Sequence, residues 1–415
     1  MDFDDTPDEA AFRSEVRAWL QKTAPWELEP ALRNAMVRTT SSVHLPEIPG
    51  ATNVLDLCKA WQKKKFEAGW ACLHWPARHG GRDAKPIERV IWQQEEGPFV
   101  LLSHVFSVGH GMAGPTLMAH GTSRQQDAHL RKIASGEHMW CQLFSEPSGG
   151  SDLAGLRSRA ERIDAGWRLN GQKIWTTHAH RSDFGLLLAR TDTTVSKHKG
   201  LTMFMIDMKS PGVEVRTIKD MAGGTAFNEV FFTDAIIPDD CRIGDAGNGW
   251  KVALTTLMNE RLLLGAAAPT GVPEMIRYCL NLELEEGLAI DRADVRDRLA
   301  RWIARAEGLK NVSMRTISSL SSGRQPGPEN SIGKLVAGEM VQEIAAYAME
   351  LAGPAGAIMD ADAGNSNFPR MLLRAPAVRI GGGTTEIQKN IIGEQVLGLP
   401  PEVRVDKDAA FKDLR

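Results

Sequence analysis

The chain has 415 residues, of which 42% are hydrophobic and 24% charged, and its net charge is −3. A chain of this length is too long to fold around one hydrophobic core of ordinary size, and it predicts a globular protein of about two to three domains. The small net charge, with no basic block longer than Lys63–Lys65, argues against a nucleic-acid-binding surface. No apolar run approaches the roughly 18 residues of a membrane-spanning helix.

The N-terminus is acidic and lacks the basic-then-apolar pattern of a signal peptide. The five cysteines are scattered, and their spacing fits neither a disulfide framework nor a zinc site. We therefore expect a cytoplasmic protein without a metal centre, and without a membrane or nucleic-acid partner.

Residues 1–137 have the pattern of an all-α domain. Thr6-Pro7-Asp8-Glu9 is a typical helix start, with a capping Thr, Pro in the first turn and Glu three residues after the Thr. Further helical patterns cover 53–68, 84–96, 99–120 and 123–135, and the links between them are rich in Gly and Pro.

Residues 138–243 change to β-type patterning and predict a small barrel or sandwich. Asn170-Gly171 is the strongest hairpin signal among the turns that separate the strands. The predicted strands are 139–145, 156–163, 167–169, 172–177, 184–190, 201–207, 213–217 and 228–234.

The helical period returns in residues 244–415 and predicts an α-helical bundle. The predicted helices are 249–268, 272–286, 292–322, 329–352 and 385–397. The fold class is therefore α+β, with an N-terminal α-helical domain, a middle β-barrel or sandwich domain and a C-terminal α-helical bundle.

Two stretches of the middle region carry the residues best suited to binding a ligand. Cys141–Asp152 reads as a strand that runs into a turn of small residues, where backbone N–H groups can approach an anion closely. Gly171–Thr177 carries a Trp and two hydroxyls on a strand. An aromatic, hydroxyl donors and a phosphate-sized cradle suit a flavin dinucleotide, whereas the alternative is a surface hairpin with a Gly-Ser turn.

These stretches resemble the paired signature of the acyl-CoA dehydrogenase family. The residues Ser145-Glu-Pro-Ser-Gly-Gly-Ser-Asp152 and Lys173-Ile-Trp-Thr-Thr177 carry the resemblance. Further blocks lie in family order at 120–126, 133–137, 229–234 and 383–392, so the resemblance covers nearly the whole chain.

The resemblance implies a reaction and its partners. An acyl-CoA thioester would be desaturated between Cα and Cβ, with a carboxylate taking the α-proton and a hydride passing to N5 of FAD. Electrons would then pass to an electron-transferring flavoprotein. The assembly would be a homo-oligomer, either dimer or tetramer, or a heterotetramer with a related subunit.

The resemblance also assigns residues to FAD and substrate. Phe144, Ser145, Trp175 and Thr177, with Thr176 beside them, would hold the flavin ring, and Ser151 would lie near the pyrophosphate and the substrate. Gly353, Thr384 and Glu386 would contact the nucleotide half of the FAD bound to the same subunit or to a neighbouring one.

The catalytic base is where the sequence departs from the commonest family pattern. Most relatives have a Glu immediately before the Gly-Thr of the C-terminal motif, and here that residue is Gly382. Gly382 has no proton-accepting side chain, but its backbone N–H can still donate to the thioester oxygen of the substrate.

A minority branch, resembling isovaleryl-CoA and long-chain enzymes, places its base on a bundle helix just before an Arg. Glu260-Arg261 stands at that place. On a helix Glu260 shares a face with Leu257, Leu263 and Leu264, which is unusual for a solvated carboxylate. We expect Glu260 to be the base and Arg261 to help place the substrate; the alternative is a Glu260–Arg261 ion pair or a Glu at the helix edge.

A second departure concerns the flavin phosphates. Relatives usually carry Arg-x-x-Phe-Gly after this helix, whereas residues 282–288 here are acidic. This feature resembles a branch of bacterial sterol side-chain degradation in which two different subunits pair. Two alternatives to a self-sufficient dehydrogenase therefore stay open: a partner subunit with an incomplete site, and a flavin oxidase or monooxygenase of the same fold.

Overall fold

The computed structural model describes residues 5–38, 45, 48–265, 271–321, 327–359, 367–403 and 406–414. The first helix begins as predicted, because the Thr6 hydroxyl accepts from the Glu9 N–H while the Glu9 carboxylate accepts from the Thr6 N–H at 2.8 Å. The helices of the N-terminal part are α1 Pro7–Thr23, α2 Glu29–Arg38, α3 Val54–Glu67, α4 Pro86–Glu96, α5 Val100–Ser103, α6 Gly114–His120 and α7 Ser123–Ser135.

The single helix predicted over 99–120 is divided in the structure. A 3-10 turn, His104–Phe106, and a π-helical turn, Gly109–Ala113, separate α5 from α6. Pro115 has no N–H to continue the α-helical ladder, which favours a local change of helix type just before it. Gly114 is needed there because a Cβ would lie 2.1 Å from the Trp75 ring.

The middle part is a mixed sheet of eight strands. The strands are β1 Trp140–Leu143, β2 Arg159–Ile163, β3 Gly166–Thr177, β4 Phe184–Arg190, β5 Leu201–Asp207, β6 Val213–Ile218, β7 Phe227–Ile237 and β8 Arg242–Ile243. Their order in the sheet is β6-β7-β3-β2-β4-β5-β8, and β1 pairs in parallel with β4. Strands β4 and β5 are buried on both faces. Leu186 and Leu188 pack with helices, whereas Leu187 and Ala189 pack with the other strands.

The hairpin predicted at Asn170-Gly171 is wrong. Both residues lie inside β3, and the turn between β2 and β3 is at 164–165, since Ile163 pairs with Gly166. Gly171 has φ +148° and lies at a register shift against β7. A β-bulge and a hairpin turn both use the ability of glycine to adopt a positive φ. The same Asn-Gly sequence can therefore indicate either structure.

The C-terminal part is again helical. Its elements are α8 Gly249–Gly265, α9 Val272–Asn281, β9 Glu283–Leu284, β10 Gly287–Leu288, α10 Ala293–Ser321, α11 Asn330–Leu351, α12 Asn367–Ile380 and α13 Thr385–Ile391. The helix predicted over 272–286 ends at Asn281, because the chain turns into the β9–β10 hairpin with Gly287 at φ +117°. Helix α12 was not predicted, since Pro376 lies inside it.

The order of helices, mixed sheet and helices confirms the α+β class. Within the described ranges, no helix combines the length and apolar character needed to cross a membrane. No group of three His, Cys, Asp or Glu side chains among the same residues could hold a metal ion.

Candidate functional site

The two sequence stretches expected to bind a ligand meet at one end of the sheet. After β1 the chain passes Phe144, which is buried, and Ser145, whose carbonyl accepts a hydrogen bond from the Ile174 N–H of β3 at 2.9 Å. Trp175 follows Ile174 at a register shift, with φ +60° and a side chain that is 57% exposed. The pairing of β3 with β7 is thus interrupted where the strand presents this aromatic ring. The Trp175 ring makes an edge contact with Phe227, with 6.0 Å between the ring centroids.

A buried ion pair connects the two stretches. The Lys173 ammonium donates to the Glu146 carboxylate at 2.8 Å and to the Phe144 carbonyl at 3.0 Å. The same carboxylate accepts the N–H groups of Arg157 and Ser158 at 2.6 and 2.9 Å. Burial alone would raise the pKa of Glu146, but the ammonium and these donors outweigh it and lower that pKa.

The remaining flavin candidates of the sheet differ in exposure. Thr177 is half-buried, whereas Thr176 is buried and its hydroxyl makes no hydrogen bond within the described part of the chain. Ser151 is exposed in the turn that follows Gly150. That turn lies near Ser145, because a Cβ on Gly150 would be 3.8 Å from the Ser145 hydroxyl.

Glu260 lies in α8, and its side chain is half-buried. The Gln142 amide of β1 donates to its carboxylate at 3.3 Å. Because Gln142 precedes Phe144 by two residues, this contact connects Glu260 with the strand end that carries the flavin candidates. Leu257, on the same helix face, packs in the core between sheet and helices.

The side chains of Arg261, Leu263 and Leu264 lie outside the described residues. The role of Arg261 in substrate placement therefore stays a prediction, as does the alternative ion pair with Glu260.

Gly382 lies in a turn of three glycines between α12 and α13. Gly382 and Gly383 have φ +68° and +96°, in the region that favours glycine. The Gln388 amide donates to the Gly382 carbonyl at 3.0 Å, and a Cβ on Gly383 would lie 2.6 Å from the same amide nitrogen. The turn is therefore held by a hydrogen bond that one of its carbonyl groups accepts.

The nucleotide candidates lie at helix ends of the C-terminal part. Thr384 caps α13, its hydroxyl accepting from the Ile387 N–H at 3.2 Å, and Glu386 is exposed in the first turn of that helix. Gly353 is exposed, with φ +58°, at the start of the 3-10 helix that follows α11.

Sequence reasoning missed several supporting side chains. Glu146 and Lys173 belong to the two signature stretches, and their opposite charges were a signal that the stretches pair. Lys334 is a single cation in the otherwise uncharged run Ser331–Gly338 of α11. Gln142 carried no signal, because only the packing of the sheet against α8 brings it to Glu260.

Comparison with known proteins identifies the family. The acyl-CoA dehydrogenase N-terminal domain matches residues 6–137, the middle domain 141–235 and the C-terminal domain 247–397. The chain belongs to the acyl-CoA dehydrogenase family. The enzyme class expected from the sequence is thereby confirmed.

Two proteins of Mycobacterium tuberculosis illustrate the similarity in sequence. This acyl-CoA dehydrogenase is 34% identical to acyl-CoA dehydrogenase IpdE1 over 399 residues, which cover 95% of this chain and 98% of that protein. It is also 34% identical to acyl-CoA dehydrogenase FadE34 over 92% of its own length, but it spans only 52% of FadE34.

Solved structures share the fold. The ChsE4-ChsE5 complex of M. tuberculosis contains a chain with a TM-score of 0.78 and 28% identity, over 97% of this chain and 100% of that one. The Tcur3481-Tcur3483 steroid acyl-CoA dehydrogenase also has a TM-score of 0.78, at 22% identity, which shows a common fold.

Proposed function

We propose that this acyl-CoA dehydrogenase removes hydrogens from Cα and Cβ of an acyl-CoA thioester, with Glu260 as the base and FAD as the cofactor. The observation that carries the proposal is the contact between Gln142 and Glu260. It connects a half-buried carboxylate on α8 with the strand end that carries Phe144 and Ser145. A base in a partly desolvated site is suited to abstract a weakly acidic proton near neutral pH.

Gly382 would stabilise the charge that develops during this step. When the α-proton leaves, negative charge accumulates on the thioester oxygen, and a fixed N–H donor lowers the energy of that state. The glycine turn is held by its carbonyls, which leaves the Gly382 N–H as a candidate donor. Ser151 and Arg261 are the further substrate contacts proposed from the family resemblance.

The residues at the sheet end suit FAD. Trp175 offers an exposed ring face, Ser145 and Thr177 offer hydroxyls, and the turn near Ser151 offers backbone N–H groups to phosphate. Phe144 and Thr176 would complete the site around the ring. When bound, FAD supplies the hydride acceptor for Cβ.

Gly353, Thr384 and Glu386 would contact the nucleotide half of FAD, which an oligomer could deliver from a neighbouring subunit. An electron-transferring flavoprotein is the proposed electron acceptor, and a cytoplasmic location is proposed with it.

The test compares the purified wild type with Glu260→Gln in the absence of air. Straight-chain, branched and steroid-side-chain acyl-CoA thioesters are added while the visible flavin band is recorded. We expect one of them to bleach the wild type, and Glu260→Gln to keep its flavin but reduce it at least about 1,000-fold more slowly. Glu339→Gln, another half-buried carboxylate of the bundle, is the matched control and should bleach at the normal rate.

Normal bleaching of Glu260→Gln would exclude Glu260 as the base. Rapid reoxidation of the reduced wild type by air would instead favour the oxidase or monooxygenase alternative.

A partner subunit of a heteromeric dehydrogenase is the second candidate. The β9–β10 hairpin exposes Glu283, Glu285 and Glu286 where the resemblance expects an Arg for the flavin phosphates. Carboxylates would repel a pyrophosphate. A similar solved structure, at 28% identity, is described as a complex of two named proteins. A colourless protein that acquires flavin only when co-expressed with a related subunit would favour this candidate.

A further inference from the structure

Lys334 holds the glycine turn from the neighbouring helix. Its ammonium, in the first turns of α11, donates to the Arg379 carbonyl at 3.0 Å and also to the Gly383 carbonyl. These two carbonyls lie on either side of Gly381 and Gly382. Together with the Gln388 amide, which donates to the Gly382 carbonyl, Lys334 fixes the backbone from which Gly382 presents its N–H.

Helix α11 packs against α8, the helix that carries Glu260, and the same ammonium interacts electrostatically with the Glu260 carboxylate. Burial lowers the pKa of Lys334 to about 8, the Glu260 carboxylate opposes this shift, and Arg379 reinforces it. Glu386 of α13 also acts on Lys334 and opposes the shift. Lys334 is therefore still mainly charged at neutral pH, and Glu260 is the first of the carboxylates that stabilise that charge.

Lys334 thus interacts with both parts of the proposed catalytic site, the glycine turn and Glu260. The turn would stabilise the thioester oxygen, and Glu260 would take the α-proton. A neutral residue of similar size could fill the space but could neither donate to two carbonyls as a cation nor favour an ionised carboxylate. A purely structural role would require only the packing of α11 against the turn.

We propose that Lys334 is a positioning residue that fixes the glycine turn and favours the ionised state of Glu260. The inference rests on the proposed function, because it presumes that Glu260 is the base and that Gly382 is a donor. It assigns no contact between Lys334 and the substrate.

The experiment measures the rate of flavin reduction against pH in Lys334→Met, Lys334→Gln and Lys334→Arg holoenzymes. The probe is whichever thioester reduces the wild type. Without the ammonium, Glu260 is ionised less readily, so the acidic limb of the profile should move to higher pH by at least about half a unit in the Met and Gln variants. Their maximal rates should fall at least about tenfold, because the oxyanion donor is less well fixed.

Lys334→Arg supplies the conservative comparison. Arg stays charged throughout this range, so its acidic limb should remain at the wild-type position. Its rate should also persist above about pH 8, where the wild type loses the Lys334 charge. Lys389→Met removes an exposed cation of α13 and should leave the whole profile unchanged.

The outcomes separate this inference from the proposed function. A wild type that no thioester reduces, or normal reduction of Glu260→Gln, would contradict the proposed function. If those two proteins behave as expected while Lys334→Gln keeps the wild-type acidic limb and rate, Lys334 is a packing residue and the inference is wrong. If Lys334→Met fails to fold, the Gln and Arg variants decide between the same two results.

Discussion

The Glu146–Lys173 ion pair shows how single residues support the site. Its side chains are 4% and 0% exposed, so both charges have lost their hydration. In Lys173→Met, the Glu146 carboxylate stays buried without its cation. We expect this variant to lose about 3–5 kcal/mol of unfolding free energy, measured by urea denaturation, and to retain less flavin.

The Lys173→Met/Glu146→Gln double variant is the control for this prediction. Because it removes both charges, it should be more stable than Lys173→Met alone. A double variant that is less stable by the sum of both single losses would show that the two side chains act independently and would contradict the interpretation.

At this scale the sequence was informative where a residue belongs to a motif. Glu260 was selected because Gly382 has no carboxylate, and the structure places Glu260 in contact with the strand that leads to Phe144. Gln142 and Lys334 were missed, because their importance arises from contacts between elements that are 118 and 49 residues apart in the chain.

At the scale of elements, the bulge at Gly171 shifts the register of β3 against β7 before the strand reaches Trp175. A Cβ on Gly171 would lie 2.4 Å from the Ser158 hydroxyl oxygen and 2.7 Å from the Ser158 Cα. The Cα is a backbone atom, so a change of side-chain rotamer at Ser158 cannot relieve this second contact. We expect Gly171→Ala to lose about 2–4 kcal/mol of unfolding free energy, from overpacking and from the positive φ together.

Gly223→Ala is the matched control for the bulge. Gly223 also has a positive φ, of +88°, but a Cβ there meets nothing within 4 Å. It should therefore lose only the conformational part, about 1 kcal/mol. Equal losses in the two variants would show that the approach to Ser158 has no measurable effect.

Helices were predicted well where capping and period agree, as in α7, whose bounds match the prediction of 123–135. They were predicted poorly where glycine or proline has two possible uses. Asn170-Gly171 signals both a hairpin and a bulge, and Pro376 breaks the pattern of a helix that the structure nevertheless continues. Local sequence cannot decide such cases, because the deciding contacts come from β7 or from α11.

At the scale of the whole molecule, an aromatic cluster joins the N-terminal helices to the sheet. His129 of α7 packs edge-on against Phe184 of β4 and Trp140 of β1, with centroid distances of 4.8 and 5.5 Å. His138 contacts the same Phe184 ring. No pattern in the sequence indicates this junction, because it depends on how the two parts of the chain dock.

The junction predicts that acid weakens the fold. Burial, with smaller contributions from His138 and Lys132, lowers the pKa of His129 to about 4, and its Nδ1 has no hydrogen-bond partner among the described residues. Between pH 6.5 and about 4 the unfolded chain therefore binds a proton that the folded chain does not, so stability falls as pH falls through this window.

The His129→Phe variant tests this prediction, because Phe cannot be protonated. Between about pH 7.5 and 5 its melting temperature should fall less than that of the wild type. At pH 7.5 the variant should be at least as stable, because Phe replaces an unpartnered buried nitrogen with an apolar ring. An equal acid-induced loss in both proteins would assign the pH sensitivity to other groups.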